Sequence, residues 1–371
     1  MANRRALGFI CCAVLCTALC ATVYAAGPIT IWTRAADMQV QRGYHTMTPI
    51  GPGKVLVVGG IPVVDVTKAA EVYDLTTNSW AYTPQTVYQH ARHQAVKLAD
   101  GRIMVIGGIV SGKNAEIYNP ANNTWVATAD MSVARYGHTA TLMKDGRVLV
   151  AGGWDDTLGR SVKTVEIYNP ANDSWSLAPS LLFRRAFHTA VLLPDGKILV
   201  AGGNSGSGNR SSIELYDPAT GKWIRGTDMN DARSNHAMTV VHGIAQTWVV
   251  AAGGCCVGSS GTALNTAEVY SVSSGQWART GNMATARMEV GMTTLPNGNV
   301  VIAGGENQEV FTGSAELLDM GTRTFRALGS IPVKAAELPL ATMSDGTVIV
   351  AGGTTNDDNI RSTEAVATFK P

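Results

Sequence analysis

Cysteine is nearly absent from this chain once its first twenty residues are set aside. Of six cysteines, Cys11, Cys12, Cys16 and Cys20 fall there, leaving only the adjacent Cys255 and Cys256. Two neighbouring cysteines cannot tie distant segments together, so a disulfide-stapled scaffold is excluded and the fold must rest on burial. Charge is scarce too, at 15% of residues, and almost balanced at +1. No stretch is basic enough to leave an electrostatic footprint for nucleic acid, which removes that class of partner. Beyond the leader no apolar run is long enough to cross a bilayer, so the mature chain is expected to have no membrane span.

The leader itself covers residues 1–25. Arg4 and Arg5 form a positive start, Ala6 to Val23 is almost wholly apolar, and Val23-Tyr24-Ala25 fits the small-residue rule for cleavage. A signal peptide and an exported mature protein, periplasmic or extracellular, are expected. Removing the leader arginines leaves 27 basic against 28 acidic residues.

What the chain has in quantity is glycine, 40 of 371 residues, and much of it is periodic. Arg147-Val148-Leu149-Val150-Ala151-Gly152-Gly153 is a short apolar strand ending in a glycine pair. Related pairs end at Gly60, Gly108, Gly203, Gly254, Gly305 and Gly353, with spacings along the series of 48, 45, 50, 51, 51 and 48 residues. A period of this size signals an array of one supersecondary unit. Within a unit, Tyr136 to Met143 reads as a strand, Asp145-Gly146 as a hairpin turn, and Val165 to Tyr168 as a third strand. Trp175 opens a fourth. Four antiparallel strands in about 48 residues is the plan of a propeller blade.

Two further registers accompany the glycines. Glu71, Glu116, Glu166, Glu214, Glu268 and Glu316 each precede Trp80, Trp125, Trp175, Trp223, Trp277 or Phe325 by nine residues. Trp32 has no such Glu, and Glu364 has no following Trp, so residues 26–40 are expected to complete the last blade and close a ring of seven. The tryptophans are placed against neighbouring glycine pairs, where the missing side chain allows close approach. Arg42, Arg92, Arg135, Arg185, Arg233, Arg287 and Lys334 give one cation per unit. Ion pairs between these and the seven Glu are expected, at the end carrying the loops between second and third strands.

Gly-Gly after an apolar strand, Glu-x-Tyr, the following Trp, and Arg-x-x-His together resemble kelch repeats over residues 28–371. Asp-Gly turns such as Asp195-Gly196 make the chain most similar to the branch containing galactose oxidase. The resemblance implies an all-β, seven-bladed propeller with ligands on one face or at the channel mouth, and no single activity. The copper oxidases of that branch need a Tyr-His step, a Tyr cross-linked to Cys, and a His from a later domain. Tyr44-His45 resembles the first, but the cross-link and the last ligand lack counterparts.

Other chemistry is weighed residue by residue. His45, His93, His138, His188 and His236 share one position, with Val290 and Glu337 in the remaining units. Hydrogen-bonded core histidines are favoured over a metal ring. Cys255-Cys256 opens the longest loop and is either a strained vicinal clamp or an inert pair. Asp155-Asp156 and Asp357-Asp358-Asn359 follow no calcium-ligand spacing and read as polar loop tips. Asn204 to Asn209 lacks a nucleophile elbow. Some exported kelch propellers epimerise sialic acid, and Glu306 and Glu337 are the carboxylates that break the repeat near the mouth. The favoured reading is a monomeric exported binding module for a glycan or a surface or exported protein. No cofactor or metal is expected. Its site is placed where the repeat stops repeating, at Trp154, Asp155, Asn204, Cys255, Cys256 and Glu306. Tyr44, His45, His138, His188 and Glu337 stand at the channel mouth.

Overall fold

The computed structural model describes residues 32–62, 65–243, 246–255, 262–308, 310–355 and 362–371. The leader, Cys256, and Asp357, Asp358 and Asn359 therefore lie outside the described residues. The architecture is all-β: seven four-stranded antiparallel sheets follow one another along the chain. The third shows the plan, with strands Thr139–Leu142, Val148–Ala151, Val165–Asn169 and Ser174–Ala178. Its second strand is buried throughout, because it has neighbouring strands on both sides and neighbouring blades on both faces. The core accordingly lies between blades. One cluster joins Val55 and Val57 of the first blade to Ile349, Ala351 and Val366 of the seventh. Another joins Met104 and Ile106 of the second to Val148 and Val150 of the third.

The ring closes as the spare Trp and the spare blade suggest. Thr33–Arg34 pairs antiparallel with Val366–Phe369, Thr33 opposite Thr368. Trp32 lies 5.4 Å from the Phe369 ring, the same neighbour relation that Trp80 has to Tyr73 at 5.0 Å.

The tryptophans and glycine pairs do not meet as the sequence suggests. Trp80, Trp125, Trp175, Trp223 and Trp277 stand on outer strands, each against the Tyr of its own blade. Trp80, Trp175 and Trp223 donate their ring N–H to the carbonyls of Ala36, Ala129 and Pro179. The glycine pairs lie at the inner end of the second strand. A Cβ on Gly152 would stand 2.8 Å from His188 Cε1, so the close approach that glycine permits is to the next blade's Arg-x-x-His segment.

Candidate functional site

At the end that carries the glycine pair, five blades are built from one repeated polar unit. Arg42, Arg135, Arg185, Arg233 and Arg287 are fully buried and meet Glu71, Glu166, Glu214, Glu268 and Glu316 of the same blade at 2.5, 2.8, 2.7, 2.8 and 2.8 Å. Each guanidinium also donates to the carbonyl of the first glycine of its pair, as Arg135 does to Gly152 at 2.7 Å. Each carboxylate accepts two backbone N–H groups as well, Glu214 those of Leu182 and Phe183 at 2.6 and 3.2 Å. A buried charge pair is tolerable only when its remaining hydrogen-bonding capacity is met, and here it largely is. Truncating one partner should then be expensive. Arg185→Met is expected to lose about 3–5 kcal/mol of unfolding free energy in urea titration. A loss below about 1 kcal/mol would show that the pair does not hold the blade.

Two blades depart from the expected pairing. In the second, Arg92 is not the partner of Glu116. His90 takes that place, with Nε2 2.8 Å from Glu116 Oε1 and Nδ1 2.8 Å from the Gly107 carbonyl oxygen, the same two acceptors that the arginines use elsewhere. In the seventh, Ala367 pairs with Val350 as Glu166 pairs with Val150, and Ala335 carries the carbonyl that receives the Gly305 N–H. Alanine thus replaces both charges, while Lys334 and Glu364 stand off register and form no ion pair with each other. An apolar pair in the same place is a permitted alternative to a buried ion pair.

Next to the arginine position runs the histidine position. His93, His188 and His236 have Nε2 at 2.8, 3.1 and 2.7 Å from the hydroxyls of Thr46, Thr139 and Thr189 on the preceding blade, and His45 lies 3.1 Å from the Ala351 carbonyl oxygen. Burial, then the nearby arginine, holds His45 and His138 down at about 3, and burial drives His93, His188 and His236 well below the ordinary range. These are neutral packing groups. The seventh-blade counterpart is Leu338, not Glu337, since Gly353 would touch Leu338 as Gly203 touches His188.

The residue between them is where the blades differ. Tyr44, Arg92, Gly137, Phe187, Asn235, Glu289 and Glu337 occupy this position, all with φ between 51° and 59°. Backbone hydrogen bonds run from one to the next, as from Phe187 N to Gly137 O at 2.7 Å and from Glu337 N to Glu289 O at 2.8 Å. These residues line an open axial cavity of about 300 Å³ together with the histidines. Arg92 reaches across it. Its guanidinium carbon is 4.2 Å from the Tyr44 ring centre and 5.5 Å from that of Phe187. Its Nη2 is 3.0 Å from Glu337 Oε1 and 3.9 Å from Glu289. Thr354 donates its hydroxyl to Glu337 Oε2 at 3.1 Å.

One guanidinium cannot neutralise two half-buried carboxylates. Burial, then the neighbouring Glu289 charge, raises Glu337 well above the usual carboxylate range, and burial raises Glu289 as well. Of the two, Glu337 is pushed further toward its protonated form. The mouth therefore offers two facing carboxyl groups with raised proton affinity, a cation, an amide and two aromatic faces within one small cavity.

The other expected site residues ring this mouth. Trp154, Asn204, Cys255 and Glu306 make equivalent bridges to Tyr136, Ala186, Ser234 and Met288. Trp154 is half-buried and opens the hairpin Trp154–Asp155 with Arg160–Ser161, where the sequence suggests a plain loop. Asp155 is buried and caps the N–H groups of Thr157 and Leu158, so its carboxylate is spent on the hairpin. Asn204 likewise ties its own loop through Asn209 and Gly206. Cys255 is a free thiol held by Ser234 and Asn209. Tyr44, His45, His138, His188 and Glu337 do line the axial cavity. Arg92, Phe187, Asn235 and Glu289 were missed as mouth residues; their signal was the place before the histidine. Among the described residues no three His, Cys, Asp or Glu side chains converge as a metal-ligand set. No helix among them is long and apolar enough to cross a membrane.

Residues 137–353 match the family model described as the KLHDC2/KLHL20/DRC7 Kelch-repeats domain. Among curated proteins, the Caenorhabditis elegans kelch repeat-containing protein kel-10 is 31% identical over 100 residues, and the kelch repeat and BTB domain-containing protein F47D12.7 of the same organism is 32% identical over 100. Each match spans 27% of this chain and 17% of the relative's length. Among solved structures, a fungal alcohol oxidase of the AA5 family in complex with copper superposes with a TM-score of 0.77 at 17% identity, over 92% of this chain and 76% of that one. That likeness is one of fold.

Proposed function

The chain belongs to the kelch-repeat propellers, and on that footing we propose that it is an exported binding module that takes a glycan terminus in its axial mouth. One observation carries this reading. Seven residues share one backbone position and one left-handed conformation, yet Tyr44, Arg92, Gly137, Phe187, Asn235, Glu289 and Glu337 have little side-chain chemistry in common. Non-glycine residues in that conformation cost roughly 1–3 kcal/mol each, and such strain gathers at ligand clamps. The arginines and histidines on either side repeat because they hold blades together. The ring between them is free to specialise.

The chemistry of the mouth suits a sugar. Carboxylate oxygens accept from neighbouring hydroxyls, Arg92 and Asn235 donate, and the Tyr44 and Phe187 rings offer apolar faces. A cavity of about 300 Å³ admits one terminal residue of a longer chain. The positively started apolar stretch of residues 1–25 supports export, and periplasm or extracellular space is the proposed compartment. A glycan array probed with the mature chain, followed by calorimetry on any hit, tests the reading. Arg92→Ala and Glu337→Gln should each weaken binding at least about tenfold, roughly 1.4 kcal/mol, without changing the melting temperature by more than a few degrees. Unchanged affinity in both variants, or binding only to a surface protein, would overturn it.

A second reading is favoured by the placement of Glu337 and Glu289 on the same Arg92, where burial raises both toward the protonated form. An acid beside a base is the equipment for moving a proton at a sugar carbon, as the sialic acid epimerases of this family require. Solvent deuterium appearing in a bound N-acetylated sugar would move the assignment to that enzyme class.

A further inference from the structure

We propose that the cleft between the third and fourth blades is a second binding site, for a saccharide bearing carboxylate or sulfate groups. The proposal rests on the reading of the chain as a glycan binder, but it uses none of the residues that line the axial cavity. The cleft measures about 570 Å³. Trp154 and Arg160 of the third blade's hairpin and Lys163 just after it line one side, and Phe183, Arg184 and Arg210 of the fourth blade line the other. Among the described residues no carboxylate lines it.

Several exposed cations elsewhere sit on nearby aspartates: Arg34 on Asp37, Arg102 on Asp100, Arg147 on Asp145, Lys197 on Asp195 and Arg225 on Asp228, each at 2.7 Å. Among the described residues none of Arg160, Lys163, Arg184 and Arg210 is in an ion pair. Four like charges gathered on one concave surface repel one another and focus a positive field that an anionic ligand would relieve. Arg210 is also fixed in advance. Its guanidinium carbon stands 4.8 Å from the Phe183 ring centre, and its Nε donates to the Arg184 carbonyl at 3.3 Å. The N–H of Phe183 is in turn bound by the buried Glu214 carboxylate. A guanidinium held in place loses little freedom on meeting a carboxylate or sulfate, which its planar fork matches in two hydrogen bonds.

The rest of the lining chooses a saccharide over an acidic peptide. Trp154 is half-buried, anchored through its backbone to Tyr136 in both directions, and supplies an aromatic wall of the kind on which a sugar ring packs. Ser205 and Ser207 on the opposite lip add hydroxyls for sugar oxygens. An acidic peptide would use the cations and leave these groups idle.

The test is calorimetry on the mature chain with four probes: a galacturonate trimer, a sulfated chondroitin disaccharide, neutral galactotriose and a hexaglutamate peptide. At least one anionic sugar should bind, and which one separates the carboxylate source from the sulfate source. Raising salt from about 20 to about 300 mM should weaken it severalfold, because the contacts are exposed enough to be screened. The double variant Arg160→Glu with Lys163→Glu should weaken it at least tenfold, and Trp154→Ala should also lower it. Glu337→Gln should leave it unchanged, so that failure of the mouth reading and failure of this one are told apart. The inference is overturned if neither anionic sugar binds, if hexaglutamate or galactotriose binds as tightly, if the double variant has no effect, or if Glu337→Gln abolishes binding.

Discussion

Between pH 6 and pH 5 the protein is expected to unfold in one cooperative step, well above the pH at which ordinary carboxylates titrate. The cause is the row of histidines behind the mouth. His45, His93, His138, His188 and His236 are all buried, and all are held neutral far below their ordinary value. In the unfolded chain each binds a proton near pH 6.5, while in the folded chain it does not until about pH 3 for His45 and His138. The unfolded state therefore holds more protons across that window, and stability falls as pH falls through it. His45 and His138 lose about 2 kcal/mol each by pH 5, and His93, His188 and His236 add to the loss in the same direction, so that the total becomes a large share of the stability of an ordinary domain.

An opposite contribution comes from Glu337 and Glu289, whose raised values stabilise the fold in acid and lose that contribution as pH rises. Two carboxyls in one cavity cannot offset five imidazoles. Tryptophan fluorescence in urea at a series of pH values would give the proton count from the slope, with several protons expected and fewer than two fatal to the argument. His138→Leu isolates one of them. Leu338 and Val290 already fill this position in two blades, so the variant should fold. It should unfold at lower pH than the parent protein and show one proton fewer.

The scaffold was legible in the sequence because it repeats, and the departures were misread where identity was followed instead of register. In His90-Ala91-Arg92-His93, aligning on arginine puts Arg92 in the ion pair. Aligning on the second histidine puts His90 there, which is what the strand spacing enforces. The seventh blade repeats the lesson, since counting back from Phe369 rather than looking for a glutamate leads to Ala367. Mouth residues were hard to see for the converse reason: one position holding Tyr, Arg, Gly, Phe, Asn and Glu looks like noise until the shared φ identifies it as one place. The cationic cleft had no linear signature at all. Its charges are drawn from residues 160–210 and meet only because two blades are adjacent.

Deleting residues 26–40 is expected to destroy cooperative folding at neutral pH, because that segment is attached to three blades at once. Trp32 donates its ring N–H to the Leu328 carbonyl of the sixth blade at 3.1 Å and packs on Phe369 of the seventh. Met38 is buried in the cluster between the seventh blade and the first, and the Ala36 carbonyl receives the Trp80 N–H at 2.8 Å. Gln39 and Val40 give their N–H groups to the Glu71 carboxylate at 2.7 and 3.2 Å. Burial of the two side chains contributes about 1.5–3 kcal/mol each. The two bonds to a buried charge contribute about 1.5–3 kcal/mol each as well, and their loss leaves Glu71 with Arg42 alone. Together these approach 10 kcal/mol, and the deletion also bares the edge of Val366–Phe369 to pairing with other chains. Trp32→Ala, which keeps the strand and the Glu71 contacts, should cost only about 3–5 kcal/mol and remain cooperative. Calorimetry on both variants separates the causes. A single sharp transition in the deletion at the parent temperature would mean that six complete blades and an open seventh hold the ring unaided. A deletion no worse than Trp32→Ala would mean that one side chain, and not the closing strand, carries the closure.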